Sequence, residues 1–134
     1  MQSKQQIKQQ KGVLSNFNRR RSNVLTKCKF NNKKITINGI TFDSKKEAAR
    51  YSNLVKLQEK GVIHDLKTQV KFELIPKQKG ERSCNYVADF VYKDVKDNLI
   101  VEDVKGSKKT LTPVYSIKRK LMLFKHGIKI REVY

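Results

Sequence analysis

The feature that most constrains this chain is a stretch of two short β-branched runs joined by a polar turn. The segment NYVADFVYKDVKDNLIVEDVKG covers residues 85–106. It predicts one strand over residues 86–92, a bend at residues 96–98 and a second strand over residues 99–105. The two strands are therefore expected to pair as a hairpin at the centre of a sheet.

Each predicted strand places a carboxylate within an apolar row. Because side chains alternate along a strand, Asp89 shares a face with Val87 and Val91. On the second strand, Asp103 shares a face with Lys105. A carboxylate in such a row is costly unless a cation or several donors meet it. Two of them on neighbouring strands, with a lysine two residues beyond, suggest a divalent-metal site beside a scissile phosphate.

A structural interpretation of the same residues stays open at this point. Asp89 and Asp103 would then be buried partners of Lys or Arg side chains. Lys105 would be a solvated lysine at a strand end.

The charge of the chain favours a polyanionic partner. The formal net charge is +19 and the pI is about 10.1. Residues 1–34 hold ten Lys or Arg and no acid, and residues 43–134 still carry 21 basic against 12 acidic residues. Nucleic acid is the usual target of such a field. Arg19, Arg20 and Arg21 form either a solubilising tail or a phosphate-binding arm, and phosphate contacts would add affinity without sequence preference.

The length of 134 residues predicts one domain and a tail. We assign residues 1–33 to a basic, flexible N-terminal arm and residues 34–134 to the folded domain. No apolar run reaches the roughly 18–20 residues that span a bilayer, and because the N-terminal segment has charges but no apolar h-region, we expect no secretory signal. The two cysteines, Cys28 and Cys84, lie far apart, which argues against a zinc module or a disulfide framework. We expect a cytoplasmic protein without a membrane partner.

The first half of the domain predicts a hairpin and a helix. KITINGITF, residues 34–42, is a small ribbon turning at Asn38-Gly39. Ser44 is an N-cap and Glu47 follows three residues later, as in a capping box, while Gly61 ends the helix. Glu47 is either only part of the cap or a further carboxylate of the metal site.

The second half predicts a strand over residues 68–75 before the central hairpin, and a helix and a strand after it. Gln69 is either a surface amide or a polar ligand near the site. A basic loop over residues 107–112, with Lys108 and Lys109, is expected to face DNA. Thr112 and Pro113 begin the second helix, Gly127 ends it and a last strand follows over residues 128–134. The inward stripe of that helix is expected to be Val114, Ile117, Leu121 and Phe124.

Lys118 of that second helix is either a phosphate contact or part of a solvated face. The resulting order is hairpin, helix, three strands, helix and strand. This predicts an α/β fold with a mixed sheet flanked by helices.

The ordered acids and lysine resemble the PD-(D/E)XK nuclease signature. Asp89 followed by Asp103-Val104-Lys105 matches its motif, although Ala88 stands where the motif has proline. The segments FDSKKEAARYSNLVKLQ, YVADFVY and IVEDVKG are similar to small phage-borne proteins of this superfamily that are compared with Holliday-junction resolvases. The resemblance covers about residues 40–133 and implies a restriction-endonuclease-like α-β-β-β-α-β core.

This resemblance also implies a function. Asp89 and Asp103 would bind Mg²⁺ or Mn²⁺, with Glu47 completing the set directly or through water, and Lys105 would be the catalytic base or phosphate anchor. Strand parity favours Asp103 over Glu102 as the ligand. The expected activity is a metal-dependent endonuclease acting on DNA, on branched or junction substrates, as a homodimer. Two other hypotheses stay open: a DNA-binding protein without catalysis, and a nuclease subunit of a larger recombination complex.

Overall fold

A computed structural model describes residues 33–134, so the candidate arm residues Arg19, Arg20 and Arg21 lie outside the described part. The elements are β1 (Ile35–Ile37), β2 (Ile40–Phe42), α1 (Lys45–Glu59), β3 (Ile63–Ile75), β4 (Cys84–Asp94), β5 (Leu99–Val104), a 3-10 turn (Lys108–Thr110), α2 (Pro113–His126) and β6 (Arg131–Val133). The predicted order of elements is confirmed.

Four strands form one mixed sheet in the order β3-β4-β5-β6. The β3–β4 and β4–β5 pairs are antiparallel, and β5 and β6 are parallel. A parallel pair needs a crossover connection, and here α2 lies within it. β1 and β2 form a separate two-stranded ribbon with Asn38 and Gly39 at positive φ, as a tight hairpin turn requires. The described part is therefore a mixed α/β fold.

Two apolar clusters cover the two faces of the sheet. The cluster on the α1 side is made of Phe42, Ala48, Leu54, Ile63, Phe90 and Tyr92. The cluster on the α2 side is made of Leu74, Tyr86, Ala88, Val91, Val101, Tyr115, Met122 and Ile130. Since neighbouring strand residues point to opposite faces, the side chains from Phe90 to Tyr92 alternate between the two clusters.

The alternation along β4 changes phase at Asp89, which corrects the predicted row. Ala88 and Val91 belong to the same cluster although they are three residues apart, and Val87 is 46% exposed. On β3, Gln69 lies across from this point, between the partners of Ala88 and Phe90, and has a φ of 52°. The local distortion of both strands explains why strict parity failed here. Gln69 itself is exposed.

The helix α1 begins and ends as its sequence predicts. The Ser44 hydroxyl accepts a hydrogen bond from the Glu47 backbone N–H at 3.2 Å. It also donates to the Glu47 carboxylate at 3.2 Å, in place of the backbone N–H donor of a full capping box. Gly61 follows the C-cap with a φ of 73°, a left-handed conformation that favours glycine.

The predicted inward stripe of α2 is wrong. Tyr115 and Met122 are buried, whereas Val114, Ile117 and Phe124 are 62%, 58% and 88% exposed. Only Leu121 of the predicted stripe packs, in part, against the core. The helix carries apolar residues on two faces, and periodicity alone does not say which face meets the sheet.

Three smaller boundaries also differ from prediction. β3 begins at Ile63, five residues before the predicted start at 68, because the longer β4 pairs with it as far as Asp94. The basic loop contains the 3-10 turn Lys108–Thr110. The last strand is confined to Arg131–Val133, which pairs with the end of β5.

Candidate active site

The carboxylates of Asp89 and Asp103 come from adjacent strands at the point where their ladder ends. The last β4–β5 pair in this direction is Phe90 with Glu102, so the next opposed positions are Asp89 and Asp103. Asp89 Oδ2 accepts a hydrogen bond from the Val104 backbone N–H at 2.7 Å. The side chain thus satisfies a β5 amide beyond the end of the regular ladder, and it is fixed beside Asp103.

Asp103 is buried, with 6% of its surface exposed. Its Oδ1 accepts a hydrogen bond from the Tyr86 hydroxyl at 3.0 Å. Its Oδ2 lies 2.5 Å from Lys105 Nζ but makes no hydrogen bond of regular geometry within residues 33–134. The contact is an ion pair with poor angular alignment. Oδ2 therefore retains lone-pair capacity for a second cation.

Lys105 is held between a carboxylate and an aromatic ring. Its Nζ lies 3.7 Å from the centroid of the Tyr115 ring, which comes from α2. The face of an aromatic ring attracts an ammonium group, so Tyr115 fixes the amine without neutralising it. The predicted proximity of Asp103 and Lys105 is confirmed.

Glu47 approaches the same region from the first turn of α1. It is half-buried, and burial raises the pKa of its carboxyl while the hydrogen bond from Ser44 lowers it. The charge of Asp103 adds to the rise, so the two carboxylates are close enough to repel. Glu47 therefore both takes part in the N-terminal cap of α1 and lies near Asp103.

Asp89 has the most perturbed carboxyl of the group. Burial raises the pKa of Asp89 to about 7, the Val104 N–H opposes this rise, and the charges of Asp103 and Glu47 add to it. The positive charge of Lys105 lowers the pKa of Asp89, but this is the smallest of the five effects. Burial is therefore the main cause of the raised pKa of Asp89, and repulsion from the two neighbouring carboxylates adds to it.

Glu102 is engaged on the opposite face of the sheet. It is fully buried, and Arg50 of α1 donates two hydrogen bonds to it, at 2.9 and 2.7 Å. The Tyr92 hydroxyl donates a third at 2.6 Å, and Arg131 lies 3.8 Å away. These donors occupy the Glu102 carboxylate and separate it from the metal-site candidates, as strand parity predicts.

Several polar residues around the site were not found from the sequence. Glu132 pairs with Asp103 across the parallel β5–β6 ladder. It accepts hydrogen bonds from Tyr115 at 3.1 Å, Arg119 at 2.6 Å and Tyr134 at 2.6 Å. The bond from Tyr134 is the main cause that holds the pKa of Glu132 below its usual range. The sequence did contain a signal for Glu132. It is an acid within the apolar segment IKIREVY, just as Asp89 and Asp103 are acids within apolar strands.

The two tyrosines at the site serve more than packing. Burial, followed by the charge of Asp103, raises the pKa of both Tyr86 and Tyr115 well above the usual range. Both hydroxyls therefore stay protonated and can donate, Tyr86 to Asp103 and Tyr115 to Glu132. The rings of both tyrosines are buried in the apolar core on the α2 side of the sheet.

The lysines predicted to contact DNA differ in their exposure. Lys108 and Lys109 are exposed on the 3-10 turn that begins three residues after Lys105. Lys118 is half-buried on α2. The arginines at positions 19–21 lie outside the described residues.

The donor set suits a hard divalent cation. Mg²⁺ prefers carboxylate oxygens and retains waters of its own, so two aspartates and a nearby glutamate fit its requirements. Between residues 33 and 134, no three acidic, histidine or cysteine side chains are already gathered at ligand distances. Two surface cavities, of about 270 and 250 Å³, are lined by other residues and do not include Asp89 or Asp103. The candidate site is a carboxylate cluster in which Asp103 is buried and Asp89 and Glu47 are half-buried.

The comparisons with known proteins identify a family whose description assigns no function. No helix within residues 33–134 has the length and apolar character needed to cross a membrane. The searches of curated proteins and of solved structures found no match to the chain. Residues 27–133 match the family described as "Protein of unknown function (DUF1064)". Since the match covers most of the 134 residues, this chain belongs to the DUF1064 family.

Proposed function

We propose that this protein is a metal-dependent endonuclease that hydrolyses phosphodiester bonds in DNA. The observation that carries the proposal is the arrangement of Asp89, Asp103 and Lys105 at the end of the β4–β5 ladder. The Asp103 carboxylate retains an oxygen without a regular hydrogen bond, and its lysine partner lies beside it. Glu47 adds negative charge from α1.

Asp89 and Asp103 would hold Mg²⁺ or Mn²⁺, and Glu47 would reach the ion directly or through water. The bound metal supplies Lewis-acid activation of the phosphate and a water of lowered pKa. Lys105 orients the attacking water or contacts a phosphate oxygen, where its charge opposes the charge that develops in the transition state. Tyr115 positions the lysine, and Tyr86 orients Asp103.

The DNA substrate is supported by charge. Residues 43–134 carry nine more basic than acidic residues. Lys108 and Lys109 are exposed and follow Lys105 by three and four residues in the sequence. The preference for branched DNA, a homodimeric assembly and a cytoplasmic role in phage recombination rest on the resemblance to junction-resolving nucleases. They are parts of the proposal that charge alone does not support.

The test is a cleavage panel with a full-length protein. Labelled duplex, single-stranded, flap and four-way-junction DNA are incubated with Mg²⁺, Mn²⁺ or EDTA. We expect metal-dependent cutting, which Asp103→Asn and Lys105→Ala abolish while DNA binding is kept. Glu81→Gln and Lys96→Ala change the same kinds of charge at exposed positions and should cut as the wild type does. Absence of cutting on every substrate with either metal would reject the proposal.

The contacts of the acids also support a second candidate, a DNA-binding protein without catalysis. Asp103 is paired with Lys105 and Tyr86, and Asp89 with the Val104 amide, so the acids have structural partners. This candidate predicts DNA binding that no metal alters. In EDTA, the nuclease candidate instead predicts equal or tighter DNA binding by Asp89→Asn, since a carboxylate that repels phosphate is removed. Weak cutting that a partner protein restores would place the chain in a larger nuclease complex.

A further inference from the structure

The outer face of α2 carries an apolar stripe of which, within residues 33–134, only Leu121 packs in part against the core. Its members are Val114, Ile117, Leu121 and Phe124, which we call the α2 outer stripe. Three of them are 62%, 58% and 88% exposed, and Leu121 is partly buried. Phe124 is thus an almost fully exposed aromatic side chain in a chain that is otherwise rich in charge. An exposed apolar patch of this kind marks an interaction surface.

The spacing of the α2 outer stripe fits a second helix. Its members follow one another by three, four and three residues, which is the a/d pattern of a coiled-coil seam. From Val114 to Phe124, ten residue steps at 1.5 Å per residue give a seam roughly 15 Å long. A seam of this length and spacing suits a short amphipathic helix rather than an extended peptide.

The charges beside the stripe select the partner. Lys118, Lys120 and Lys125 flank it at the positions that face a partner helix, and α2 contains no acidic residue. Lys125 is only loosely paired, 3.6 Å from the half-exposed Glu73. A second copy of α2 would bring these lysines together, and residues 1–32 of this chain contain no acid either. Opposite charges at flanking positions stabilise helix pairs, and like charges oppose them.

We propose that the α2 outer stripe binds an amphipathic helix of a different protein, with acidic residues beside its apolar seam. Nucleic acid satisfies the lysines but offers no apolar groove for Ile117 and Phe124. The stripe lies on the side of α2 opposite Tyr115 and Met122, so this partner would bind without covering Tyr115, which contacts Lys105. The proposal does not depend on the proposed catalytic activity.

The test uses the full chain and a synthetic fluorescent peptide with leucine at the a and d positions and glutamate at the flanking e and g positions. A matched peptide carries lysine in place of each glutamate. By anisotropy we expect the acidic peptide to bind at least about tenfold more tightly than the basic one. Ile117→Ser and Phe124→Ser should each weaken that binding by about tenfold, since both side chains would lie in the seam.

Val95→Ser is the control, because Val95 is 72% exposed in the β4–β5 turn and should leave peptide binding unchanged. Circular dichroism establishes that each variant is folded. Equal binding of the acidic peptide to wild type and both stripe variants would overturn the proposal. So would a wild-type dimer in light scattering that Phe124→Ser converts to a monomer, or a loss of DNA affinity in the stripe variants with peptide binding intact.

Discussion

Glu102 and Asp103 are neighbours in the sequence and have opposite surroundings. The Glu102 carboxylate receives three hydrogen bonds from Arg50 and Tyr92 on the α1 side of the sheet. The Asp103 carboxylate receives one regular hydrogen bond and a lysine contact on the α2 side. On one strand, the hydrogen-bonding capacity of the Glu102 carboxylate is thus used by structural partners, whereas the Asp103 carboxylate retains capacity for a ligand. Only alternation along β5 distinguishes the two in the sequence.

Arg50→Met should destabilise the fold strongly, because it leaves the fully buried Glu102 without its main cation. Breaking a buried pair costs about 3–5 kcal/mol, and we expect about 2–4 kcal/mol here since Tyr92 still donates. Urea unfolding measures the effect. Lys56→Met, at an exposed site on the same helix, should change stability by less than about 0.5 kcal/mol.

The double variant Arg50→Met with Glu102→Gln should recover part of the loss, since the unpaired charge is gone. If Arg50→Met unfolds at the same urea concentration as Lys56→Met, the pair does not hold α1 on the sheet.

The contribution of Asp89 should make the metal-free protein less stable as pH rises from about 4 to 7. Asp89 titrates near 3.8 when unfolded, and burial raises its native pKa to about 7. Between these values the native state binds more protons than the unfolded state, so deprotonation on the way to neutral pH favours unfolding. We expect Asp89→Asn to remove about 1–3 kcal/mol of this decline.

Urea unfolding in EDTA at several pH values compares wild type with Asp89→Asn. Glu81→Gln, an exposed acid, serves as the control and should keep the wild-type slope. Parallel pH profiles for wild type and Asp89→Asn would show that Asp89 is not perturbed by its surroundings.

At the scale of elements, the sequence predicted α1 well and α2 only in part. Local signals determine helix ends, and Ser44, Gly61 and Gly127 lie where these signals place them. The rotation of α2 depends on the sheet that it meets. Its local pattern is satisfied equally by the apolar stripe containing Phe124 and by the face containing Met122, so a single sequence did not decide between them.

The same reason limits what the sequence could say of the site. Asp89, Asp103 and Lys105 lie on one hairpin, so strand parity and pairing are enough to predict that they lie together. Tyr115 and Glu132 reach the site only after α2 has crossed the sheet and β6 has paired in parallel with β5. The spacing of residues along the sequence does not predict contacts that form only when a crossover connection brings distant segments together.

Met122→Ala should therefore destabilise the protein much more than Phe124→Ala. Met122 is fully buried, and its truncation leaves a cavity that costs about 2–4 kcal/mol. Phe124 is 88% exposed, so its removal should change stability by less than about 0.5 kcal/mol. Thermal or urea unfolding of the two variants decides the matter. The reverse order of stabilities would mean that α2 packs through the stripe that contains Phe124.

For the whole molecule, charge is distributed unevenly along the chain. Residues 1–34 contribute ten positive charges and no negative ones. If Arg19, Arg20 and Arg21 contact phosphates, they contribute to affinity through release of counterions. Their effect is then visible as a change in salt dependence rather than in sequence preference.

Replacing Arg19, Arg20 and Arg21 by alanine should lower the slope of log K against log salt by up to about 3, at roughly 0.9 per phosphate contact. Anisotropy on duplex DNA between low and moderate salt measures the slope. The triple variant Lys77→Ala, Lys79→Ala and Arg82→Ala removes the same charge from an exposed turn. Equal slopes for the two triple variants would assign the arginines to a general solubilising role.

The distorted backbone of β3 has a consequence for how the protein behaves in concentrated solution. β3 is the longest strand of the sheet, 13 residues, and it lies at an edge. Long flat edges recruit strands from other molecules and seed fibrils. In β3, the positive φ angles of Asp65 and Gln69 interrupt the pleat, and Lys67 and Lys71 are exposed along it. The kinks at Asp65 and Gln69 thus make this edge a poor template for amyloid growth.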